Sequence, residues 1–266
     1  MENTLKPELA PALKQAVDRL YAVFSGYRAP TLCLNVCLGC CMDESLEKEM
    51  RQLPLRQITA RHFYEYNCSA KDVPQPAHEI KYLLPRMLEL LADGAELHHS
   101  MECYLGRLGN CEAGAFSAEE YEAIEVFALA YFAARLSQHW WQSGEGHAGD
   151  VAFEFLLMFD IGGVDLRPLL DYWMKDESTA ATLHYVNAGF YDFWQAQCIK
   201  NAFAEDRPVF LEVMTNWLTE ENHRRTFANR ILRLEMYKLE QTPTCYYGSR
   251  ITPQDMAEAV FDSITY

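Results

Sequence analysis

The chain has 266 residues, with 23 Lys+Arg against 38 Asp+Glu, half of its positions hydrophobic and 13% aromatic, which is enough apolar material for one large or two small globular domains. A formal net charge of -15 and a pI near 4.9 argue against nucleic acid and anionic membranes as partners, because binding either would crowd like charges. The longest uninterrupted apolar run, Val126 to Ala134, falls far short of the roughly 20 residues that cross a bilayer.

The start Met1-Glu2-Asn3 lacks a basic and then apolar signal peptide, so the expected location is the cytoplasm. In that compartment the nine cysteines are expected as free thiols or metal ligands rather than as a disulfide framework.

In chain order, helix signals dominate. Leu9, Leu13, Ala16, Val17, Leu20, Tyr21 and Phe24 recur at spacings of three and four, which predicts a helix after Pro7 that ends near Gly26. Thr31 to Met42 reads as a cysteine-rich loop. A short helix follows from Asp43 to Pro54, and Thr59 is placed to cap the next, which carries Phe63 and Tyr66. Glu79 to Leu91 is apolar on one side, with Pro85 inside the pattern as a kink or a restart. Ser117 and Glu120 form a capping box that opens a helix to about Trp141, and 143–149 reads as a glycine-rich loop. Further helices are expected over 150–161, 166–175, 178–201, 207–218 and 220–240, and Thr252-Pro253 starts a last one ending near residue 263. No alternating run competes as a sheet. The predicted fold is therefore all-α, a single domain over 1–266 built as an array of about nine to eleven antiparallel helices, with sub-regions 1–110 and 111–266.

The charge is unevenly spread. Residues 1–110 carry 12 basic and 14 acidic side chains, 111–222 carry 5 and 19, and 223–266 carry 6 and 5. The middle segment also holds Trp140, Trp141, Trp173, Trp194 and Trp217. Aromatic anchors beside unpaired carboxylates suit the capture of a basic protein. The alternative is that the tryptophans fill the core and the acids keep the chain soluble.

Cys33, Cys37, Cys40 and Cys41 crowd into nine residues, and Cys37 and Cys40 have the C-x-x-C spacing of half a zinc site or a redox dithiol. No second C-x-x-C exists, so further ligands would come from Cys33 or Cys41, or from His62 and Cys68. Glu96 to His99 and Glu220 to His223 each spell Glu-x-x-His, half of a di-iron ligand set. Chance supplies about 0.75 such pairs at this composition. Nucleophile-elbow, H-E-x-x-H, P-loop and dinucleotide fingerprints are absent from the sequence.

One stretch has a more specific pattern: Tyr27 and Pro30, Cys37 and Cys40, Pro54-Leu55-Arg56-Gln57-Ile58-Thr59, Phe63 and Tyr66, then Lys81-Tyr82-Leu83-Leu84-Pro85-Arg86-Met87-Leu88-Glu89-Leu90. On these residues Tyr27 to Ala92 resembles an uncharacterised family of bacterial helical proteins. It departs from the family where Leu38 replaces a common proline and where Lys71-Asp72-Val73 replaces a Thr-Trp-Gly turn. The resemblance implies a cytoplasmic bacterial protein, with some relatives encoded among toxin and immunity genes. Physically, Arg86 is expected to bond carbonyls freed by Pro85, which makes the run structural.

Charge and resemblance together lead to the expectation of a non-enzymatic immunity protein. It would neutralise a basic antibacterial toxin domain by occluding its active site, with Glu119, Glu122, Trp140, Trp141, Asp171 and Trp173 as partner-binding residues and no catalytic residues. The alternative is a metal- or thiol-dependent helical enzyme, or a zinc-stabilised module, that uses the Cys33–Cys41 loop with Cys37 and Cys40 as metal ligands and a histidine such as His62.

Overall fold

The computed structural model describes residues 10–138, 152–196, 198–238, 244–246 and 249–265. The protein is all-α. The described helices are α1 (Pro11–Val23), α2 (Glu44–Gln52), α3 (Ala60–Cys68), α4 (Ala77–Ala92), α5 (Gly106–Gly109), α6 (Ala118–Leu136), α7 (Ala152–Ile161), α8 (Arg167–Lys175), α9 (Thr179–Gly189), α10 (Pro208–Thr219), α11 (Glu221–Ile231) and α12 (Pro253–Thr265). A two-stranded antiparallel hairpin, β1 (Thr244–Tyr246) with β2 (Ser249–Ile251), precedes α12 and was not expected. No described helix is long and apolar enough to cross a membrane.

Local chemistry explains the boundaries. Asp43 caps α2 by accepting from Ser45 N–H at 2.7 Å, and Arg51 lies in its last turn. The Ser117 box forms as expected: Glu120 N–H donates to Ser117 Oγ at 3.3 Å and Ser117 N–H to Glu120 Oε2 at 2.7 Å. Thr252 and Asp255 repeat the motif at α12, where Pro253 takes the first helical position. At α3 a histidine does the work of the usual glutamate, since Thr59 N–H donates to His62 Nδ1 at 3.2 Å. Pro85 neither breaks nor restarts α4, which runs through it.

Two expected helices end early. The 178–201 helix becomes α9 followed by a π-helical turn, Phe190–Trp194, in which Gln195 N–H reaches back to Phe190 O at 3.2 Å. The 220–240 helix stops at Ile231. The expected 143–149 loop lies outside the described residues.

The chain forms two compact units: residues 1–131 with 158–165, and residues 132–157 with 166–266. In the first, α4 is the central element, packed by α1, α3, α5 and the Leu55–Gln57 turn, with Leu83, Leu84, Met87, Leu88 and Leu91 buried. α5 meets the end of α7 so closely that a Cβ on Gly109 would fall 1.8 Å from Ile161 O, so only glycine fits there. In the second unit, α9, α11 and α12 pack together and α10 joins α11. Its core is an aromatic cluster. Trp173 and Trp217 stack at 4.9 Å between ring centroids, Tyr185 and Phe227 at 3.7 Å, and Phe132 and Phe227 meet Trp173 edge-on.

Trp173 is therefore corrected from an expected partner-binding anchor to a core residue. It is 0% exposed, and its indole N–H donates to Ala181 O at 2.9 Å. Trp194 and Trp217 are buried too. An apolar-rich helix can bury a tryptophan as readily as present it, and composition does not distinguish the two cases.

Candidate metal centre

The cysteine loop is held by backbone pairing and by two buried carboxylates. Cys37 N–H donates to Ser69 O at 2.7 Å, at the end of α3, beside a bridge between Val36 and Ala70. Gly39 takes a φ of 80°, which allows the chain to fold back so that Met42 N–H reaches Cys37 O at 3.0 Å and Gly39 N–H reaches Met42 O at 3.1 Å. Glu47 of α2 accepts Leu34 N–H at 2.9 Å, and Glu79 of α4 accepts Asn35 N–H at 3.1 Å.

This turn brings the ligand atoms of Cys37, Cys40 and Cys41 within 4.8 Å of one another, and the Cys40 and Cys41 sulfurs lie 3.4 Å apart. The mutual S–H bonds divide the three unequally. Cys40, which accepts from its neighbours, is held below the ordinary thiol value. Cys37 is pushed up to about 11 because its thiol donates to Cys40 and Cys41, and Cys41 is raised chiefly by its bond to Cys40. The thiolate is the ligand, so a cation bound here would displace the protons that these sulfurs share. Cys40 and Cys41 are exposed and Cys37 is half-buried. Segment 28–38, with Lys71, Asp72 and His78, lines an adjoining cleft of about 830 Å³.

Charged groups buried behind the loop fix its shape. Arg107, 3% exposed, donates to Asn35 O at 2.9 Å and to Gln75 Oε1 at 2.7 Å, bonds Tyr66 O, and stacks over the Tyr66 ring at 3.6 Å. Tyr66 in turn donates its hydroxyl to Glu79 at 2.6 Å. Glu79 is also 3% exposed, and burial pushes its carboxyl above the ordinary range despite these donors.

The residues that carry the family-like pattern are absorbed into such networks. Glu89 accepts Tyr21 Oη at 2.6 Å, Arg56 Nη1 at 3.1 Å and Arg86 Nη1 at 2.5 Å. Lys81 lies 2.9 Å from Glu120 Oε2 and 3.0 Å from Tyr27 Oη. Contrary to the expectation that it would serve the carbonyls freed by Pro85, Arg86 donates its Nε to Ile58 O at 2.9 Å and so ties α4 to the segment before α3.

Among the expected additional ligands, only Cys41 joins Cys37 and Cys40. Cys33 bonds toward Glu47, and its thiol is raised by burial and by that carboxylate. His62 spends Nδ1 on the α3 cap, with Nε2 3.6 Å from Glu49, and burial lowers its pKa. No match exists. Neither a protein-family model, a curated protein nor a solved structure is similar to the chain.

Cys68 belongs to a second group with His98 and His99, whose ligand atoms also lie within 4.8 Å. These two clusters are the metal-capable ones among the described residues. The Glu220–His223 pair is a helix cap: His223 N–H donates to Glu220 Oε2 at 2.7 Å, and neither residue joins a metal-capable group among the described residues. Of the expected partner-binding residues, Glu119, Glu122 and Asp171 are exposed, and Glu122 pairs with Arg19 at 3.0 Å. Trp140 and Trp141 lie outside the described residues.

Proposed function

We propose that this is a metal-holding helical protein whose Cys37–Cys41 turn takes one zinc ion through three thiolates. The observation that carries the reading is the convergence of three sulfurs within 4.8 Å on a turn tied to α2, α3 and α4. Zn–S bonds of about 2.3 Å at tetrahedral angles place sulfurs roughly 3.8 Å apart, close to the 3.4 Å between Cys40 and Cys41. Three protein ligands would leave one position for water or an incoming ligand, and Cys37 also lines the adjoining cleft. Binding would displace the thiol protons and lock the turn, so the metal would add to the stability of the folded state.

The test is alkylation with and without zinc. Zinc should protect Cys37, Cys40 and Cys41, while Cys33 and Cys198, both exposed, react as before. Equal labelling of all five in both conditions would refute a loop-bound metal.

A second reading is the neutralisation of a basic toxin domain, supported by the exposure of Glu119, Glu122 and Asp171 in the segment that carries 19 acidic against 5 basic residues and by the resemblance to a family of which some members are encoded among toxin and immunity genes. Without Trp173 as an anchor it leans more heavily on charge, which governs encounter more than residence. A Glu119→Lys/Glu122→Lys variant that binds a basic nuclease-type domain as tightly as the parent, at low salt, would remove it.

A further inference from the structure

We infer that Cys68, His98 and His99 form a second, separate metal site that takes a Zn(II)-type cation through one thiolate and two imidazoles. The inference does not rest on the loop: it uses different residues, and either site can fail alone.

The three side chains come from two segments far apart in sequence, the last residue of α3 and the turn after α4. Their ligand atoms nevertheless lie within 4.8 Å of one another. Cys68 Sγ is 3.7 Å from His99 Nδ1. A sulfur at about 2.3 Å and a nitrogen at about 2.05 Å from one zinc, at the tetrahedral angle, stand roughly 3.5 Å apart, so this contact needs almost no adjustment to become an edge of a coordination tetrahedron. The His98 and His99 rings lie 4.0 Å apart between centroids, an arrangement that two protonated imidazoles would resist and a shared cation would favour.

A clamp placed one residue before both groups sets the geometry. Asn67, at the end of α3 and buried, donates Nδ2 to Leu97 O at 2.9 Å, and Leu97 is itself fully buried. It joins the residue before Cys68 to the residue before His98, so the two ligand-bearing segments are fixed before any ion arrives. Cys68 and His98 are half-buried and His99 is exposed, which leaves a path for the ion.

The proton balance is simple. The Cys68 thiol proton is released on binding, and its sulfur, already 3.7 Å from His99 Nδ1, becomes the thiolate ligand. His98 Nδ1 now accepts Ser100 N–H at 3.3 Å; ligation through Nδ1 replaces that long bond, and ligation through Nε2 moves the ring proton to Nδ1 and also breaks it. One thiolate and two neutral imidazoles on a divalent cation leave a single positive charge and an open position for water.

The experiment is a Co(II) titration of the full chain carrying Cys37→Ser, Cys40→Ser and Cys41→Ser, so that only the second site can respond. One equivalent should bind with tetrahedral d–d bands and a single-thiolate charge-transfer band. His99→Gln, at an exposed position that leaves folding intact, should weaken binding by about tenfold or more, and Cys68→Ser should abolish the charge-transfer band. No Co(II) binding by the triple-serine chain, or binding and spectrum unchanged by His99→Gln, would overturn the inference, whether or not Cys68→Ser folds.

Discussion

The two units solve the burial problem with different chemistry. Residues 1–131 with 158–165 bury Glu47, Glu79, Lys81, Arg107 and Glu120, each tied to a backbone group or an opposite charge. Residues 132–157 with 166–266 bury the aromatic cluster of Trp173, Tyr185, Trp194, Trp217 and Phe227 and, among the described residues, a single charged side chain, Arg230. Directional networks hold irregular backbone in one geometry, as thiols on a turn require, whereas stacked rings supply non-directional cohesion without shaping a site. Both metal-capable clusters lie in the unit with the charged interior.

The largest expected effect separates the two directly. Trp173→Ala, at a fully buried position, should cost about 3–5 kcal/mol of stability in denaturant melts and leave zinc affinity of the folded protein unchanged. Arg107→Ala removes the guanidinium donor from Asn35 O, Tyr66 O and Gln75 Oε1, leaving Tyr66 O only Ser69 N–H and Gln75 Oε1 only Asn35 Nδ2, each at 3.3 Å. It should cost about 3 kcal/mol and also loosen the thiol turn, seen as faster alkylation of Cys40. If both variants changed Cys40 reactivity equally, the contrast between the units would fail.

Acid should act first on the charged interior. Burial alone would raise Glu47, Glu89 and Glu120, yet each lies below the ordinary carboxylate value because Arg51 and Leu34 N–H, Tyr21 and Arg86, and Tyr27, Ser117 N–H and Lys81 respectively outweigh it. Their stabilisation is complete above the unfolded carboxylate value and is lost as pH falls through the lower folded values, below about 4. Glu79, raised by burial, works in the opposite sense, and acid relieves its penalty. Amide exchange between pH 7 and 3 should show protection lost in α4 and the start of α6 before α8 and α9, and Glu120→Gln should flatten that dependence. The smallest effect is expected at Glu122→Lys, an exposed partner of Arg19, within about 0.5 kcal/mol in thermal melts.

Much of this was legible before any coordinates. Asp43, Ser117, Glu120 and Pro253 start helices where their side chains and local spacing say they should, because capping is decided within four residues. The hairpin is three residues per strand, too short to show alternation. The π-helical turn after Gly189 depends on which aromatic rings α12 and its neighbours bury, a tertiary matter. At the candidate site, Cys37 and Cys40 announced themselves by spacing, and Cys41 was one of two adjacent choices. The sequence marks His99 only through its Glu-x-x-His spacing from Glu96, which chance explains, and His98 not at all; their partner Cys68 is brought in by the Asn67–Leu97 clamp across 30 residues of sequence. Trp173 failed as a surface residue because an acidic, aromatic segment can face its rings inward and its acids outward on the same helix, as Asp171 and Trp173 do on α8.

The most direct test of the central claim is the zinc content of the intact chain by native mass spectrometry, beside the Cys37→Ser/Cys40→Ser/Cys41→Ser variant under the same zinc concentration. The account predicts one zinc more on the parent than on the variant, and a melting temperature that chelation lowers in the parent through loss of that ion. Equal zinc content in the two chains would contradict it.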